Sequence, residues 1–148
     1  MKIYRLHHHS RMAADYTGAM LAGGRWNSIG TPMLYAAQTL SLACLEVLVH
    51  LDKRQLPQQY VWSETRLEQK PSALQFPHIE VVSSCQLAGQ EWIRACESLA
   101  AVVPSVIIPQ ESNILVNPNH SEYANLLWSN PQPFRFDPRL FSSEPQIL

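Results

Sequence analysis

The segment GGRWNSIGTPMLYAAQTLSLACLEVLVH (residues 23–50) contains one arginine and one glutamate among small, polar and apolar residues. Residues 41–51, which extend one residue beyond this segment, predict a helix, because Ser41 is a suitable N-cap and strong helix formers follow it. Apolar side chains cover most of this helix, which is typical of a buried helix. Glu46 lies in the middle of it, and a buried carboxylate is costly unless it is paired. The segment therefore predicts that Glu46 has either a partner or a chemical function.

Glu46 and Arg25 each allow a structural and a functional interpretation. Glu46 either shares a narrow polar stripe with Ala43 and His50 and faces water, or it lines a cleft. Arg25 follows two glycines in a turn-prone segment, where backbone amides can approach a ligand closely and a guanidinium can hold phosphate. The segment lacks the spacing of the dinucleotide and P-loop motifs, so a surface turn with a solvated arginine remains an alternative.

The composition limits the classes of protein that fit. The 148 residues are 46 % apolar and 16 % charged, so we expect a single globular domain over residues 1–148. The net charge of −1 gives no indication of direct nucleic-acid binding. No apolar run reaches the roughly 18 residues of a membrane helix, and the N-terminus lacks the apolar stretch of a signal peptide. We therefore expect no membrane contact. Three cysteines without CxxC spacing favour reduced thiols, so we expect a cytoplasmic protein.

Short strands and few helices are predicted. Strands are expected at residues 2–7, 33–37, 60–67, 113–116 and 134–136, with a β-branched segment at 100–108 that Pro104 interrupts. Helices are expected at residues 13–22, 41–51 and 89–99, the last with Trp92, Ile93 and Cys96 on one face. Helices do not alternate regularly with strands, which argues against a doubly wound sheet. We therefore expect a compact α+β domain of short, mostly antiparallel strands with flanking helices.

Other polar side chains are candidates for a site, each with a structural alternative. Ser105 lies between β-branched residues, and Asn113, Asn117 and His120 follow it in polar, turn-rich sequence. Ser105 lacks the GxSxG context of a hydrolase nucleophile, so a strand serine bonded to backbone remains an alternative. The three histidines at residues 7–9 alternate between the faces of a predicted strand, so no metal site is expected there.

Several short motifs, in this order, resemble those of the RES-domain toxins, whose name comes from an arginine, a glutamate and a serine. The motifs are Tyr4-Arg5, Gly24-Arg25-Trp26-Asn27 with Gly30, Tyr35-Ala36 followed by Leu45-Glu46, Val103-Pro104-Ser105 running into Asn113 and Asn117-Pro118-x-His120, and Phe136-Asp137-Pro138-Arg139-Leu140. Each motif is short, but their joint order and spacing make the match specific, and together they cover almost the whole chain.

The resemblance implies both a fold and an activity. RES toxins belong to type II toxin–antitoxin pairs whose antitoxins carry an Xre-like DNA-binding region, and a toxin homodimer within such a complex is a further expectation. Their fold is similar to that of diphtheria-toxin-type ADP-ribosyltransferases. Members consume NAD by hydrolysis or phosphorolysis of the nicotinamide–ribose bond, whereas some relatives transfer ADP-ribose to a protein. NAD is then a substrate, and no cofactor or metal is expected.

Carried over by motif, the resemblance assigns catalytic roles to Glu46, Arg25, Tyr35 and Ser105, and NAD binding to Arg5, Arg25, Tyr35 and Asn113. Glu46 would stabilise the ribosyl cation that forms when nicotinamide leaves. Arg25 would hold the pyrophosphate, and Tyr35 would offer its ring to the nicotinamide and its hydroxyl to the ribose. Ser105 would hydrogen-bond the nicotinamide ribose or amide. An ADP-ribosyltransferase acting on a protein and a non-catalytic nucleotide-binding module remain alternatives.

Overall fold

The computed structural model describes residues 1–76 and 78–141 of the chain. Within these residues the chain forms seven strands, three α-helices and two short 3-10 helices. The strands are β1 (Lys2–His8), β2 (Leu34–Ala37), β3 (Tyr60–Arg66), β4 (Ser72–Ala73), β5 (Ala100–Pro104), β6 (Ser112–Val116) and β7 (Gln132–Phe134). The helices are α1 (Thr17–Ala22), α2 (Leu40–Leu48) and α3 (Val82–Ala95), and the 3-10 helices are Tyr123–Asn125 and Pro138–Leu140.

The seven strands of the described residues form one sheet in the order β4-β5-β6-β2-β1-β3-β7. Neighbouring strands are antiparallel except for β4 and β5, which are parallel. The expected α+β class with mostly antiparallel strands is therefore confirmed. The register places Ala37 of β2 beside Asn113 of β6, and Val103 of β5 beside the same residue. The centre of the sheet thus brings the ends of β2, β5 and β6 together.

Both faces of the sheet are covered, because successive side chains of a strand point to opposite faces. Leu115 of β6 packs in one core with Trp92 and Ile93 of α3, whereas Ile114 and Val116 pack in a second core on the other face. A third core joins α2 to β1 and β2. No helix in the described part of the chain combines the length and the apolar character needed to span a membrane.

Most predicted strands agree with the structure. Predicted strands at residues 2–7, 33–37, 60–67 and 113–116 match β1, β2, β3 and β6 to within one residue at each end. The segment at 100–108 is a strand only as far as Pro104, because the chain then turns and the Ser105 hydroxyl accepts hydrogen bonds from the amides of Ile107 and Ile108. The strand predicted at 134–136 lies instead at Gln132–Phe134, because β7 pairs with β3 there and Phe136 leaves the sheet to pack in the core beneath α2.

Helix α2 begins and ends earlier than predicted. Its N-cap is Thr39, whose hydroxyl oxygen accepts a hydrogen bond from the Leu42 amide at 3.1 Å. The prediction that Ser41 caps the helix was wrong, since Ser41 already lies inside it, and the helix ends at Leu48. The Thr39 hydroxyl also donates to Glu111 Oε2 at 3.1 Å, a contact between distant segments that no local pattern indicates.

The other two helices also differ from their predictions. The helix predicted at 13–22 is confined to Thr17–Ala22, because the preceding residues form turns in which Asp15 Oδ1 accepts from the Thr17 amide. The helix predicted at 89–99 begins seven residues earlier and ends at Ala95, because Cys96 adopts a left-handed conformation with φ of 54°. Trp92 and Ile93 are buried, but Cys96 lies outside the helix as its C-cap and not on the helix face.

A glycine sets the distance between α3 and the loop before β2. A Cβ atom at Gly89 would lie 1.8 Å from the Trp26 carbonyl oxygen and 2.9 Å from its carbonyl carbon. Real side-chain carbon atoms do not approach backbone this closely, so the helix contacts the loop through the bare backbone of Gly89. This contact fixes the loop that contains Arg25 against a rigid helix.

We expect the substitution Gly89→Ala to lower the free energy of unfolding by about 3 kcal/mol, because either α3 or the Trp26 backbone has to move. Urea denaturation followed by circular dichroism measures the effect. Gly18→Ala is the matched control, since a Cβ at this exposed position in α1 would meet no atom within 4 Å. Alanine there should stabilise the helix by about 0.5–1 kcal/mol. Equal stability of the two variants would contradict the close contact at Gly89.

Candidate active site

One cleft of about 720 Å³ contains most of the predicted site residues. Its walls come from β1, β2, α2, β6 and the loop between α1 and β2. The predicted residues that line it are Arg5, Arg25, Tyr35, Glu46 and Asn113. Tyr4, Tyr60 and His50 also line the cleft and were not predicted as site residues. Ser105 lies behind the wall and reaches the cleft only through its bond to Glu46.

The carboxylate of Glu46 is paired and lines the cleft. Its Oε1 atom accepts two hydrogen bonds, from Ser105 Oγ at 2.8 Å and from Asn113 Nδ2 at 2.6 Å. No side chain or backbone group of the described residues donates to Oε2. Ala43 and His50, with which Glu46 was expected to share a polar stripe, line the same cleft, so the stripe forms part of the cleft wall. One oxygen of Glu46 is fixed, and the other has no donor among the described residues.

Ser105 is a support for Glu46 rather than part of the cleft wall. Its side chain is 1 % exposed, and its hydroxyl oxygen accepts from the amides of Ile107 and Ile108 at 3.0 and 3.1 Å. Since its one hydroxyl proton is donated to Glu46, the expected hydrogen bond from Ser105 to a substrate has no geometric support. The alternative of a serine bonded to backbone describes two of the three hydrogen bonds of its hydroxyl.

Arg25 lies on the loop between α1 and β2 and is half-buried. Gly23, two residues earlier, has φ of 73° and lets the chain turn away from α1. The Arg25 Nη1 atom donates to the carbonyl oxygen of Ile79 at 2.8 Å. The guanidinium has five N–H groups, so this bond orients it and leaves most of its donors for an anion in the cleft.

The hydroxyl of Tyr35 is bonded within the protein. It donates to Asn27 Oδ1 at 2.7 Å and accepts from the Trp26 amide at 3.0 Å. Burial raises the pKa of Tyr35 well above its usual value, so the phenol is neutral. Asn27 is fully buried and was not predicted as a site residue, although it belongs to the quoted Gly24-Arg25-Trp26-Asn27 motif. The sequence around Asn27 gives no local indication that its side chain would bond to Tyr35.

Arg5 contributes a second cation to the cleft. Its Nη1 atom donates to the carbonyl oxygens of Ala13 and Asp15, and the bond to Asp15 is 3.1 Å long. Burial lowers the pKa of Arg5 to about 10, so the guanidinium remains protonated at neutral pH. Two arginines and one glutamate therefore line the cleft.

The histidines at the end of β1 do not converge on one point. The His7 ring is buried, with Nε2 within 3.2 Å of Ser63 Oγ, whereas His8 Nδ1 lies 2.7 Å from Ser10 Oγ. Within residues 1–76 and 78–141, no group of three or more histidine, cysteine, aspartate or glutamate side chains has the arrangement of a metal site.

The chain thus has a mostly antiparallel α+β fold in which a hydrogen-bonded glutamate, Glu46, and an arginine, Arg25, line one cleft. The family model described as "RES domain" matches residues 2–137, and the chain therefore belongs to the RES-domain family of toxins. The resemblance noted in the motifs is thereby confirmed.

Comparisons with individual proteins agree with this assignment. The chain is 33 % identical to "Toxin Res" of Yersinia enterocolitica, over 95 % of this chain and 99 % of that protein. It is 31 % identical to "Prs ADP-ribosylating toxin" of a Sphingobium species, over 83 % of each chain. Its fold is similar to a chain in the crystal structure of the Mycobacterium tuberculosis MbcT-MbcA toxin–antitoxin complex, with a TM-score of 0.67, 18 % identity and coverage of 95 % and 86 % of the two chains.

We expect Ser105→Ala to lower the free energy of unfolding by about 1–3 kcal/mol, because the amides of Ile107 and Ile108 lose their acceptor and Glu46 loses a donor. Chemical denaturation measures the change. Ser121→Ala, at an exposed serine, is the control and should be close to neutral. If both serine variants unfold at the same denaturant concentration, the hydroxyl of Ser105 does not have the structural role assigned to it.

Proposed function

We propose that this protein is the toxin of a toxin–antitoxin pair and that it depletes NAD by cleaving the nicotinamide–ribose bond, by hydrolysis or phosphorolysis. The observation that carries the proposal is the carboxylate of Glu46, fixed through Oε1 by Ser105 and Asn113, in the same cleft as Arg25. NAD is a substrate in this proposal and is not recycled as a cofactor.

The chemistry of the bond explains the need for a fixed carboxylate. When the bond between ribose C1′ and the nicotinamide nitrogen breaks, its electron pair leaves with nicotinamide, which becomes neutral, and the ribose becomes an oxocarbenium-like cation. A carboxylate oxygen beside that cation stabilises the transition state more than the ground state. Oε2 of Glu46 would do this, since Oε1 is already bonded within the protein. An oxygen of water, which then releases one proton to the solvent, or an oxygen of phosphate forms the new bond to C1′.

The two arginines of the cleft suit the other charged part of NAD. The pyrophosphate carries negative charge that a planar guanidinium can bind through two parallel hydrogen bonds. Arg25 is our candidate for this contact, with Arg5 as a second cation. The ring of Tyr35 lines the same cleft and offers an aromatic face to the nicotinamide, and Asn113 contributes to binding through its hold on Glu46.

Transfer of ADP-ribose to a protein is the second candidate. It is favoured by the 31 % identity to a relative named an ADP-ribosylating toxin. The same cation would form in both reactions, and only the group that attacks C1′ would differ. A binding module without turnover is less favoured, because it would not require a carboxylate fixed by two donors.

An antitoxin partner is part of the proposal, because the similar fold in the MbcT-MbcA structure comes from a toxin–antitoxin complex. We propose an Xre-like antitoxin that covers the cleft between Arg25 and Glu46 and acts in the cytoplasm, where NAD is available. Three apolar side chains that line the cleft are strongly exposed, Val49 at 53 %, Val82 at 42 % and Val106 at 51 %. Such side chains at the edge of a site suit a protein partner.

Product analysis tests the reaction. Pure protein is incubated with NAD in the presence and absence of inorganic phosphate, and free nicotinamide, ADP-ribose and its 1″-phosphate are separated by chromatography. Release of nicotinamide supports the proposal, and the dependence on phosphate identifies the acceptor. Label from adenine-labelled NAD that stays bound to a target protein would instead identify transfer. No nicotinamide release under any condition would overturn the proposal.

We expect Glu46→Gln to reduce NAD turnover by about 10²–10³-fold, because the charge that stabilises the cation is lost while the size and the Oε1 acceptor remain. NAD affinity should change much less, since the contact matters most in the transition state. Turnover and thermal melting are measured on the same preparation. Glu91→Gln, at an exposed residue of α3, is the matched control and should keep full activity. A well-folded, fully active Glu46→Gln variant would remove Glu46 from the catalytic assignment.

We expect Arg25→Ala to raise the KM for NAD by about tenfold or more, because a charged hydrogen-bond donor to phosphate is lost. Arg25→Lys should restore only part of the affinity, since an ammonium group cannot reproduce the planar fork. Steady-state kinetics provide the measurement, with the exposed Arg94→Ala of α3 as control. An unchanged KM in Arg25→Ala would exclude the pyrophosphate contact.

We expect the purified antitoxin to inhibit NAD consumption in a titration that saturates when every toxin chain is bound. Val106→Asp places a charge among the exposed valines and should weaken inhibition by about tenfold or more. Leu127→Asp is the control, since Leu127 is 87 % exposed and does not line the cleft. A complex that consumes NAD at the rate of free toxin would contradict coverage of the cleft.

A further inference from the structure

We infer that the Tyr35 hydroxyl and the Asn27 side chain act as positioning residues that fix the loop carrying Arg25, so that its guanidinium is presented to an anion in the cleft. The identity of that anion as NAD rests on the proposed function, whereas the positioning itself rests on contacts within the protein. The inference gives the Tyr35 hydroxyl a role separate from that of the Tyr35 ring, which lines the cleft.

The contact between the Tyr35 hydroxyl and the Asn27 side chain joins β2 to the loop that contains Arg25. Tyr35 stands on β2, and its hydroxyl meets both Asn27 Oδ1 and the backbone amide of Trp26, at 2.7 and 3.0 Å. Trp26 is the residue directly after Arg25. Strand β2 is therefore joined by one hydrogen bond to the backbone directly after Arg25 and by a second to the side chain of Asn27.

Asn27 connects this contact to the rest of the loop. Its Nδ2 atom donates to the carbonyl oxygens of Ala19 at 2.8 Å and Thr31 at 3.1 Å. Both of its amide hydrogens are used, and its oxygen accepts from Tyr35, so this fully buried side chain is satisfied. A buried polar network whose members are all bonded has one preferred geometry.

The network is packed closely against the backbone of Gly24. A Cβ atom at Gly24 would lie 2.7 Å from the Tyr35 hydroxyl oxygen and 2.9 Å from Asn27 Oδ1. Gln86 of α3 also donates to the carbonyl oxygens of Gly24 and Asn27, at 3.0 and 3.3 Å. The backbone on both sides of Arg25 is thus held by β2, by α3 and by the loop itself.

The hydrogen-bond inventory of a phenol supports a positioning role. Tyr35 has a single hydroxyl proton, which it donates to Asn27, so it cannot also donate to a ribose without breaking the network. Arg25 itself is held at its far end by the carbonyl oxygen of Ile79. Because the backbone beside Arg25 and its guanidinium are both held by hydrogen bonds, Arg25 can bind an anion with little further loss of conformational freedom.

The experiment measures binding without turnover, by calorimetry on variants that also carry Glu46→Gln. The probes are NAD and, in parallel, inorganic pyrophosphate, the simplest anion that Arg25 would hold. We expect Tyr35→Phe to weaken binding of at least one probe by about three- to tenfold. When Arg25→Ala is also present, Tyr35→Phe should have no further effect, because both changes act on one guanidinium. If Tyr35→Phe weakens binding by the same factor with and without Arg25→Ala, the inference is overturned. A failure of both probes to bind would overturn it as well.

A second measurement does not depend on any ligand. Amide hydrogen exchange of the free protein should be faster at Trp26 in Tyr35→Phe, since the acceptor of that amide is lost. Gly24→Ala should have the same effect, because its methyl group would displace the Tyr35 hydroxyl. Thr65→Val is the matched control, since it removes another buried hydroxyl that donates to backbone without lining the cleft. Unchanged exchange at Trp26 in Tyr35→Phe would overturn the inference.

The two sets of results separate the inference from the proposed function. If binding and exchange respond as expected but the wild-type protein releases no nicotinamide from NAD, the proposed reaction fails and the positioning of Arg25 stands. If nicotinamide is released but Tyr35→Phe and Arg25→Ala act independently, the reaction stands and the positioning fails.

Discussion

Two hydrogen bonds to one oxygen of Glu46 are the contact on which the arrangement of the cleft depends. They join α2 to the end of β5 through Ser105 and to β6 through Asn113. A carboxylate inside an apolar helix would otherwise be destabilising, and an unpaired one would move the helix towards water. Because both donors meet Oε1, the pairing that stabilises the charge also leaves Oε2 without a hydrogen-bond donor among the described residues. In the proposed reaction, structural support and chemical function are therefore divided between the two oxygens of one side chain.

The opposite charge in the cleft is supported in a different way. Arg25 is placed by its backbone, which is held by Tyr35, Asn27 and the helix that carries Gly89. A loop needs such support because it has no ladder of backbone hydrogen bonds of its own. The carboxylate is thus fixed by direct contacts to its oxygen, and the guanidinium by contacts to the chain from which it extends.

Sequence patterns predicted the central strands and the α+β class, because alternation and β-branched residues act over a few residues. They predicted helix ends poorly. Ser41 and Thr39 are equally plausible caps by residue type, and only the conformation of the chain places the Thr39 hydroxyl on the Leu42 amide. The start of α3 was missed because the residues before Gly89 include serines and exposed valines, which are weak helix formers. Packing of Cys85 against the sheet stabilises the first turns of the helix.

The sequence by itself determined the residue types of the site and, through the order of its motifs, the family to which the chain belongs. Only the tertiary structure decided which of those residues touch. Glu46 is separated from Ser105 by 59 residues and from Asn113 by 67, and no local pattern can specify a contact between side chains so far apart. The burial of Ser105 and the bond between Tyr35 and Asn27 depend in the same way on strand register and helix packing. Those features arise from the whole core at once, because each hydrogen bond requires its partners to be brought together by many other contacts.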